Sequence, residues 1–329
     1  MKVLVTGGAG YVGSHAVREL LKNGYEVVVY DNLSRGFQES LPKDIKFVHG
    51  DLNNPDLLEH VFSSNKFDAV IDFAGHLEVE ESMRNPEKFY LNNVISLLNL
   101  LKSMHMHNVK TIVYSSSASV YGQPKESPVS EMHVNDTNNV YGETKAIAER
   151  MLKFFDNIYG IKSVSLRYFN AAGADSEGEI GEAHNPETHL IPIVFNTALG
   201  KRQHISVYGT DYPTGDGTAV RDYIHVKDLS QVHILAMERL ISEGKSNIFN
   251  VGTGKGYSVK EIIETARKIT GHEVPTISGS RRFGDPAELI ANASKIKKEL
   301  GWEPRYSDLK TIMETAWKWH KSHPNGYGK

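Results

Sequence analysis

Through its first half the chain alternates short apolar runs with helical stripes of apolar residues. Lys2-Val3-Leu4-Val5-Thr6 has the pattern of a strand, glycines follow at positions 7, 8, 10 and 13, and Val17, Leu20 and Leu21 then recur at helical spacing. The same patterning predicts strands at 26–30, 45–52, 68–75, 110–115 and 162–167, with helices through Val94, Leu97, Leu98 and Leu101 and from 141 to about 159. Repeated βα units bury both faces of a parallel sheet, so the expected fold class is α/β, a doubly wound parallel sheet of Rossmann type.

Beyond Arg167 the texture changes. A polar segment runs to Thr188, a helix is expected from about 190 to 200, and 209–218 is rich in turn residues. A helix after Val226 and a strand at 247–251 read as a return to the sheet, and helices near 259–270 and 309–320 close the chain. The expected organisation is therefore a nucleotide-binding domain over 1–174, re-entered at about 222–252, and a smaller mixed α/β domain made of 175–221 and 253–329. No internal repeat or low-complexity tract is present.

Composition narrows the function classes. Among 329 residues, 37 Lys and Arg face 40 Asp and Glu, and no long run of one sign offers a surface for nucleic acid or anionic membrane. Cysteine is absent, which excludes disulfides and a thiol nucleophile and fits a cytoplasmic protein. The glycine turn comes too early for a signal peptide, and no apolar stretch is long enough to span a bilayer. The 15 histidines form no His-Glu-x-x-His pattern, and His105-Met106-His107 reads as a solvated helix end, so no metal is expected.

The candidate chemistry begins at the glycine turn. A strand, a glycine-rich turn and a helix make a phosphate cradle, here Gly7, Gly10, Tyr11, Val12 and Gly13. Asp31 and Asn32 end the second strand where a ribose diol would be held, and a carboxylate there selects NAD over NADP. Asp51 and Leu52 fall toward the adenine, and Phe73, Ala74 and Gly75 put small residues where a dinucleotide would pass. Farther on, Tyr141-x-x-x-Lys145 places a phenol and an ammonium on one helix face. A cation beside a phenol favours the phenolate, a base able to ionise a sugar hydroxyl. Such a pair also occurs by chance on surface helices. Its weight comes from the run Tyr114–Gly122, which delivers serines to the carboxyl edge of the same sheet.

With these residues in place the chain resembles the extended short-chain dehydrogenase/reductases and, within them, the UDP-galactose 4-epimerases. The resemblance covers nearly the whole chain and is most specific in 30–34, 167–170, 208–214 and 220–226. It implies that Tyr141 transfers the proton, that Lys145 tunes it and holds the nicotinamide ribose, and that Ser117 bonds the reacting sugar oxygen. Asn92, Ser115 and Tyr168 are further NAD contacts by the same resemblance. Asn170 is implied at the diphosphate, Arg221 and Arg282 on the phosphates, Asp285 at the uridine ribose and Tyr208 beside the uracil. Paired guanidinium groups suit a diphosphate on chemical grounds as well. Leu289 falls at a gate, bulky in members restricted to glucose and galactose and small in those that take N-acetylhexosamines, although a leucine there also suits a core. The implied reaction oxidises the sugar at C4, turns the ketose over and reduces its other face, with a homodimer formed through the helix around Val94–Leu101 and the one after Tyr141.

Some positions depart from the family pattern. Leu77 stands where some members have a lysine, 78–81 is unusually acidic, and His189 replaces an asparagine that bonds substrate. A 4,6-dehydratase would need an acid and a base where Ala118 and Ser119 stand. An epimerase for UDP-N-acetylhexosamine or UDP-glucuronate and a non-catalytic NAD-binding sensor remain as alternatives.

Overall fold

A computed structural model describes residues 1–282 and 284–328. In chain order the strands are β1 (Lys2–Thr6), β2 (Glu26–Asp31), β3 (Lys46–His49), β4 (Ala69–Asp72), β5 (Thr111–Ser117), β6 (Lys162–Tyr168), β7 (Asn170–Ala172), β8 (Ile205–Tyr208), β9 (Val220–His225), β10 (Asn247–Val251), β11 (Gly256–Ser258), β12 (Thr276–Gly279) and β13 (Glu288–Leu289). The helices are α1 (Tyr11–Lys22), α2 (Pro55–Ser63), α3 (Val79–Arg84), α4 (Pro86–Phe89), α5 (Ser96–Met106), α6 (Val140–Tyr159), α7 (Leu190–Ala198), α8 (Val226–Glu243), α9 (Val259–Thr270), α10 (Ser294–Leu300) and α11 (Leu309–Ser322). A π-helical turn, Tyr90–Ile95, leads into α5.

Seven parallel strands form the main sheet in the order β10-β6-β5-β4-β1-β2-β3. Side chains alternate across a strand, so the unbroken apolar run of β1 feeds two cores. Val3 and Val5 pack with Val17, Leu20, Leu229 and Val232 under α1 and α8. Leu4 points the other way, to Leu58, Leu97, Leu101 and Leu152 under α2, α5 and α6. Strand order reverses between β1 and β4, which opens a crevice at their carboxyl ends.

A second sheet joins β11, β9 and β13, with β7 pairing β9, and β12 pairs β8. Residues of α7, α9 and α11 pack a separate core against these strands. Two boundaries differ from the sequence reading. Strand β9 lies in the second sheet, so the chain re-enters the main sheet with α8 and β10, not at 222. Ala293, Ile296 and Trp302 pack into the core under α8, which places α10 with the large domain although 253–329 was expected in the smaller one. Among the described residues no helix is long and apolar enough to cross a membrane.

Candidate active site

The cleft at the strand reversal has a volume of about 1190 Å³, more than the roughly 300–1,000 Å³ of a site for one drug-sized molecule. One half of its floor is backbone. A Cβ on Gly13 would stand 2.3 Å from the Gly7 carbonyl oxygen, so glycine is required for α1 to start this close to the end of β1. Gly10 caps α1 without a side chain. The first N–H groups of that helix, at Tyr11 and Val12, therefore face the cleft as an anion site.

Asp31 closes this half. Its Oδ2 accepts the Ala9 N–H at 2.9 Å and its Oδ1 the Leu33 N–H at 2.8 Å, while Asn32 donates to Asp51 Oδ2 at 2.8 Å. Each carboxylate oxygen keeps a free lone pair, enough to receive a ribose diol. Leu52, Phe73, Ala74, Gly75, Asn92 and Tyr168 line the same wall, and Asn92 accepts the His76 N–H at 3.0 Å. These residues fit a dinucleotide: a cradle in which a side chain on Gly7 or Gly13 would clash, an uncapped helix start, and a fixed acid.

Across the cleft from the cradle, α6 supplies the reactive group. Its N-cap Asn139 accepts the Gly142 N–H at 2.8 Å, and it ends at Gly160 in the left-handed region, φ +67°. Gly142 lies against the chain leaving β5, where a Cβ would stand 2.4 Å from the Ser119 carbonyl oxygen. Tyr141 and Ser117 both line the cleft beside that approach, with the Ser117 hydroxyl near enough to favour the phenolate. One turn on, Lys145 Nζ donates to the Ser115 carbonyl at 2.8 Å and lies 4.8 Å from the Tyr114 ring and 5.9 Å from the Tyr141 ring.

The Ser115 hydroxyl pairs with the Tyr168 hydroxyl and its carbonyl holds Lys145, so Ser115 supports the lysine. One expectation is corrected: the Tyr141 phenol is not pulled down. Burial raises the Tyr141 pKa above the ordinary value, Glu78 pushes the same way, and the bond to Ser117 opposes them only in part. Burial also lowers Lys145 to about 8, against the charges of Asp72 and Glu149. Desolvation of the phenolate is the largest of the effects on Tyr141.

The other half of the cleft is made of side chains. Asn170, Tyr208, Arg221, Arg282, Asp285 and Leu289 all line it. The Arg282 guanidinium stacks 4.2 Å from the Tyr208 ring centre. Arg221 Nη2 meets Asp285 Oδ1 at 2.8 Å, so the residues assigned to phosphate and ribose are paired with each other here. Leu289 lines the cleft and also packs on the cluster of Val120, Tyr121 and Val129.

Sequence reasoning missed two groups on this wall. Arg35 holds Glu78 at 2.9 Å and Glu81 at 3.0 Å, and Lys88 meets Glu81 at 2.5 Å, so the acidic loop that stood out in the sequence is charge-paired. Glu182, His184, Glu187 and His189 form a second cluster, with one donor atom from each lying within 4.8 Å of all the others. Their irregular spacing in a polar loop carries no helix or strand period that would have brought them together.

The glycine cradle, the fixed acid and the Tyr-Lys turn match a known family over most of the chain: the description "NAD dependent epimerase/dehydratase family" fits residues 3–252. The chain belongs to this family. Within it, a UDP-glucose 4-epimerase of Halalkalibacterium halodurans is 51% identical over 327 residues, 99% of this chain and 98% of the relative. The crystal structure of a UDP-glucose 4-epimerase from Brucella ovis in complex with NAD superposes with a TM-score of 0.94 at 44% identity, covering 96% of this chain and 97% of that one. The Bifidobacterium longum enzyme in complex with NAD+ and UDP gives 0.94 at 41%, covering 99% and 100%. The phosphate cradle and Tyr141 therefore sit in an epimerase/dehydratase scaffold along their full length.

The environment of Tyr141 makes a spectroscopic prediction. In cofactor-free protein the phenol should ionise only above its ordinary pKa of about 10. The ultraviolet difference between wild type and Tyr141→Phe should show no phenolate at neutral pH. A phenolate band at pH 7 in that difference would contradict the dominance of burial.

Proposed function

We propose that this protein is a UDP-hexose 4-epimerase that interconverts UDP-glucose and UDP-galactose with a resident NAD, as a cytoplasmic homodimer. The observation that carries the reading is the meeting of the Tyr141 phenol and the Ser117 hydroxyl where the backbone floor of the nucleotide half adjoins the side-chain half. Relatives crystallised with NAD and with NAD+ and UDP share the fold over 96% and 99% of the chain, which supports filling the two halves with those molecules.

NAD bound on the glycine cradle would accept a hydride from the sugar and return it. Everything else is the work of this chain. Gly7, Gly10, Gly13, Asp31 and Asp51 hold and orient the dinucleotide, Ser117 holds the sugar 4-oxygen, and Tyr141, ionised to the phenolate in the occupied site, takes the proton from it and gives it back. Asn170, Tyr208, Arg221, Arg282 and Asp285 anchor UDP. Exchange of the Arg221–Asp285 pair for phosphate and ribose contacts would keep both charges satisfied. Anchoring the nucleotide while leaving the sugar few fixed partners lets the oxidised sugar turn and be reduced on its other face.

Tyr141→Phe should bind UDP and NAD but lose about 10² to 10⁴ in kcat, the usual contribution of a positioned acid–base group. Turnover of UDP-galactose to UDP-glucose at near wild-type rate would remove Tyr141 from the chemistry. Leu289 is smaller than tyrosine and has no hydroxyl to hold, so measurable activity on UDP-N-acetylglucosamine is expected, weaker than on UDP-glucose. Leu289→Tyr should then suppress the acetylated substrate selectively by steric exclusion. Equal loss on both substrates, measured as kcat/KM, would show that Leu289 is no gate.

For the dimer, Leu91, Ile95, Phe154 and Ile158 expose apolar surface on α6 and the turn leading into α5. Phe154→Asp should halve the mass measured by light scattering on size-exclusion chromatography. An unchanged mass would place the interface elsewhere.

A further inference from the structure

Between β7 and α7 the chain carries Glu182-x-His184-x-x-Glu187-x-His189, whose donors converge beside the cleft without taking part in the chemistry proposed above. Glu182 is 5% exposed, and the side chain of His184 is 9% exposed. The Nδ1 atom of His184 is sealed from solvent without a hydrogen-bond partner, while that of His189, also sealed, stands 2.7 Å from Glu182 Oε1. A buried imidazole nitrogen aimed at carboxylates without bonding them needs an explanation.

Distances supply one. His184 Nδ1 lies 3.4 Å from Glu182 Oε1 and 3.5 Å from Glu187 Oε2, and His189 Nδ1 lies 3.5 Å from Glu187 Oε1. An N–H···O bond is usually about 2.9–3.0 Å, so all three are too long. Four ligands around zinc, with bonds of about 2.0–2.2 Å at the tetrahedral angle, stand about 3.3–3.6 Å from one another. With Glu187 donating either one of its oxygens, two imidazole–carboxylate edges have that length. His189 Nδ1 to Glu182 Oε1 is shorter, 2.7 Å, and would open to match them.

We propose that Glu182, His184, Glu187 and His189 form a structural zinc site. This goes against the sequence expectation of no metal and beyond the epimerase reading. Two imidazole nitrogens and two carboxylate oxygens suit zinc better than calcium or magnesium, which take oxygen shells. A dication also neutralises the two carboxylates. Four protein donors leave no open position, the mark of a structural site. The carboxylate shell is itself supported, because Glu187 Oε1 accepts the N–H groups of Thr188 and His189 at 2.8 and 2.9 Å. His189 is the N-cap of α7, and Thr188, His189 and Leu190 line the cleft. An ion here would clamp the polar loop to the first turn of α7 and stiffen that wall.

The experiment uses the full-length protein, stripped with a chelator, reloaded with Zn²⁺ alone and passed through a desalting column. Elemental analysis should find equimolar zinc in wild type and loss of it in His184→Ala and Glu187→Gln, with His105→Ala on the exposed end of α5 as a control that keeps it. Cobalt substitution of wild type should give the intense visible absorption of tetrahedral Co²⁺, and the chelator should lower the melting temperature of wild type, so the test holds even if a variant fails to fold. No retained zinc in wild type, a weak octahedral cobalt spectrum, or full zinc retention in both variants would each overturn the site and leave an ion-pair cluster.

Discussion

The approach of the first turn of α6 to the chain leaving β5 is the contact on which the rest of the site depends. It exists because residue 142 has no Cβ: one would stand 2.4 Å from the Ser119 carbonyl oxygen. The contact sets Tyr141 against Ser117, and it carries Lys145 into the interior, 4% exposed. An isolated buried ammonium is strongly unfavourable. The sheet offsets this with the Ser115 carbonyl, the face of Tyr114 and the charge of Asp72, which Thr6 holds at 2.6 Å. Lys145 is thus supplied by the ends of β4 and β5, while Tyr141 stays at the surface of the cleft.

A second buried network fixes α6 from beneath. Arg167 on β6 meets Glu149 through Nε at 2.8 Å and Nη2 at 2.5 Å, Ser116 on β5 donates to the same carboxylate at 2.7 Å, and Arg167 reaches Tyr121, which donates to Asn250 on β10. Breaking such a pair by removing one partner typically costs about 3–5 kcal/mol. Its use here is geometric, because it ties three strands of the main sheet to the underside of α6. The second sheet is built differently. It presents Asn170, Arg221 and Leu289 from short strands, and Tyr208 remains 41% exposed. A rigid backbone half faces an adaptable side-chain half, which suits a dinucleotide that stays and a sugar that must turn.

How much of this the sequence disclosed depended on whether a period was present. The apolar runs of β1, β2 and β6 and the stripe of α6 are buried and regular, and they were legible with the glycine cradle and the Tyr-x-x-x-Lys turn. The return to the large domain was placed at about 222, inside β9, because Val220–His225 with its Arg221, Asp222 and His225 shows no apolar period and nothing in it names a partner strand. Helix α10, Ser294–Leu300, buries only Ile296, too little to show a stripe. The Glu182–His189 donors follow no repeat at all. Spacing also misjudged the phenol, since it reports which groups share a face but not the dielectric in which they sit.

That last failure bears on how the site works. Around Tyr141 the protein places a buried environment and Glu78, both of which favour the protonated phenol, against the opposing influence of the Ser117 hydroxyl. Glu78 in turn is held by Arg35, on the loop that follows Asp31. The loop that frames the dinucleotide half is therefore wired to the carboxylate that faces the base. Positive charge delivered to the cleft beside Tyr141 would act on a phenol in a low-dielectric setting, where it has more effect than in water. The same burial that raises the Tyr141 pKa makes the phenol responsive to a charge placed beside it. A phenol in open solvent next to Lys145 would ionise more readily, but it would depend far less on what occupies the cleft.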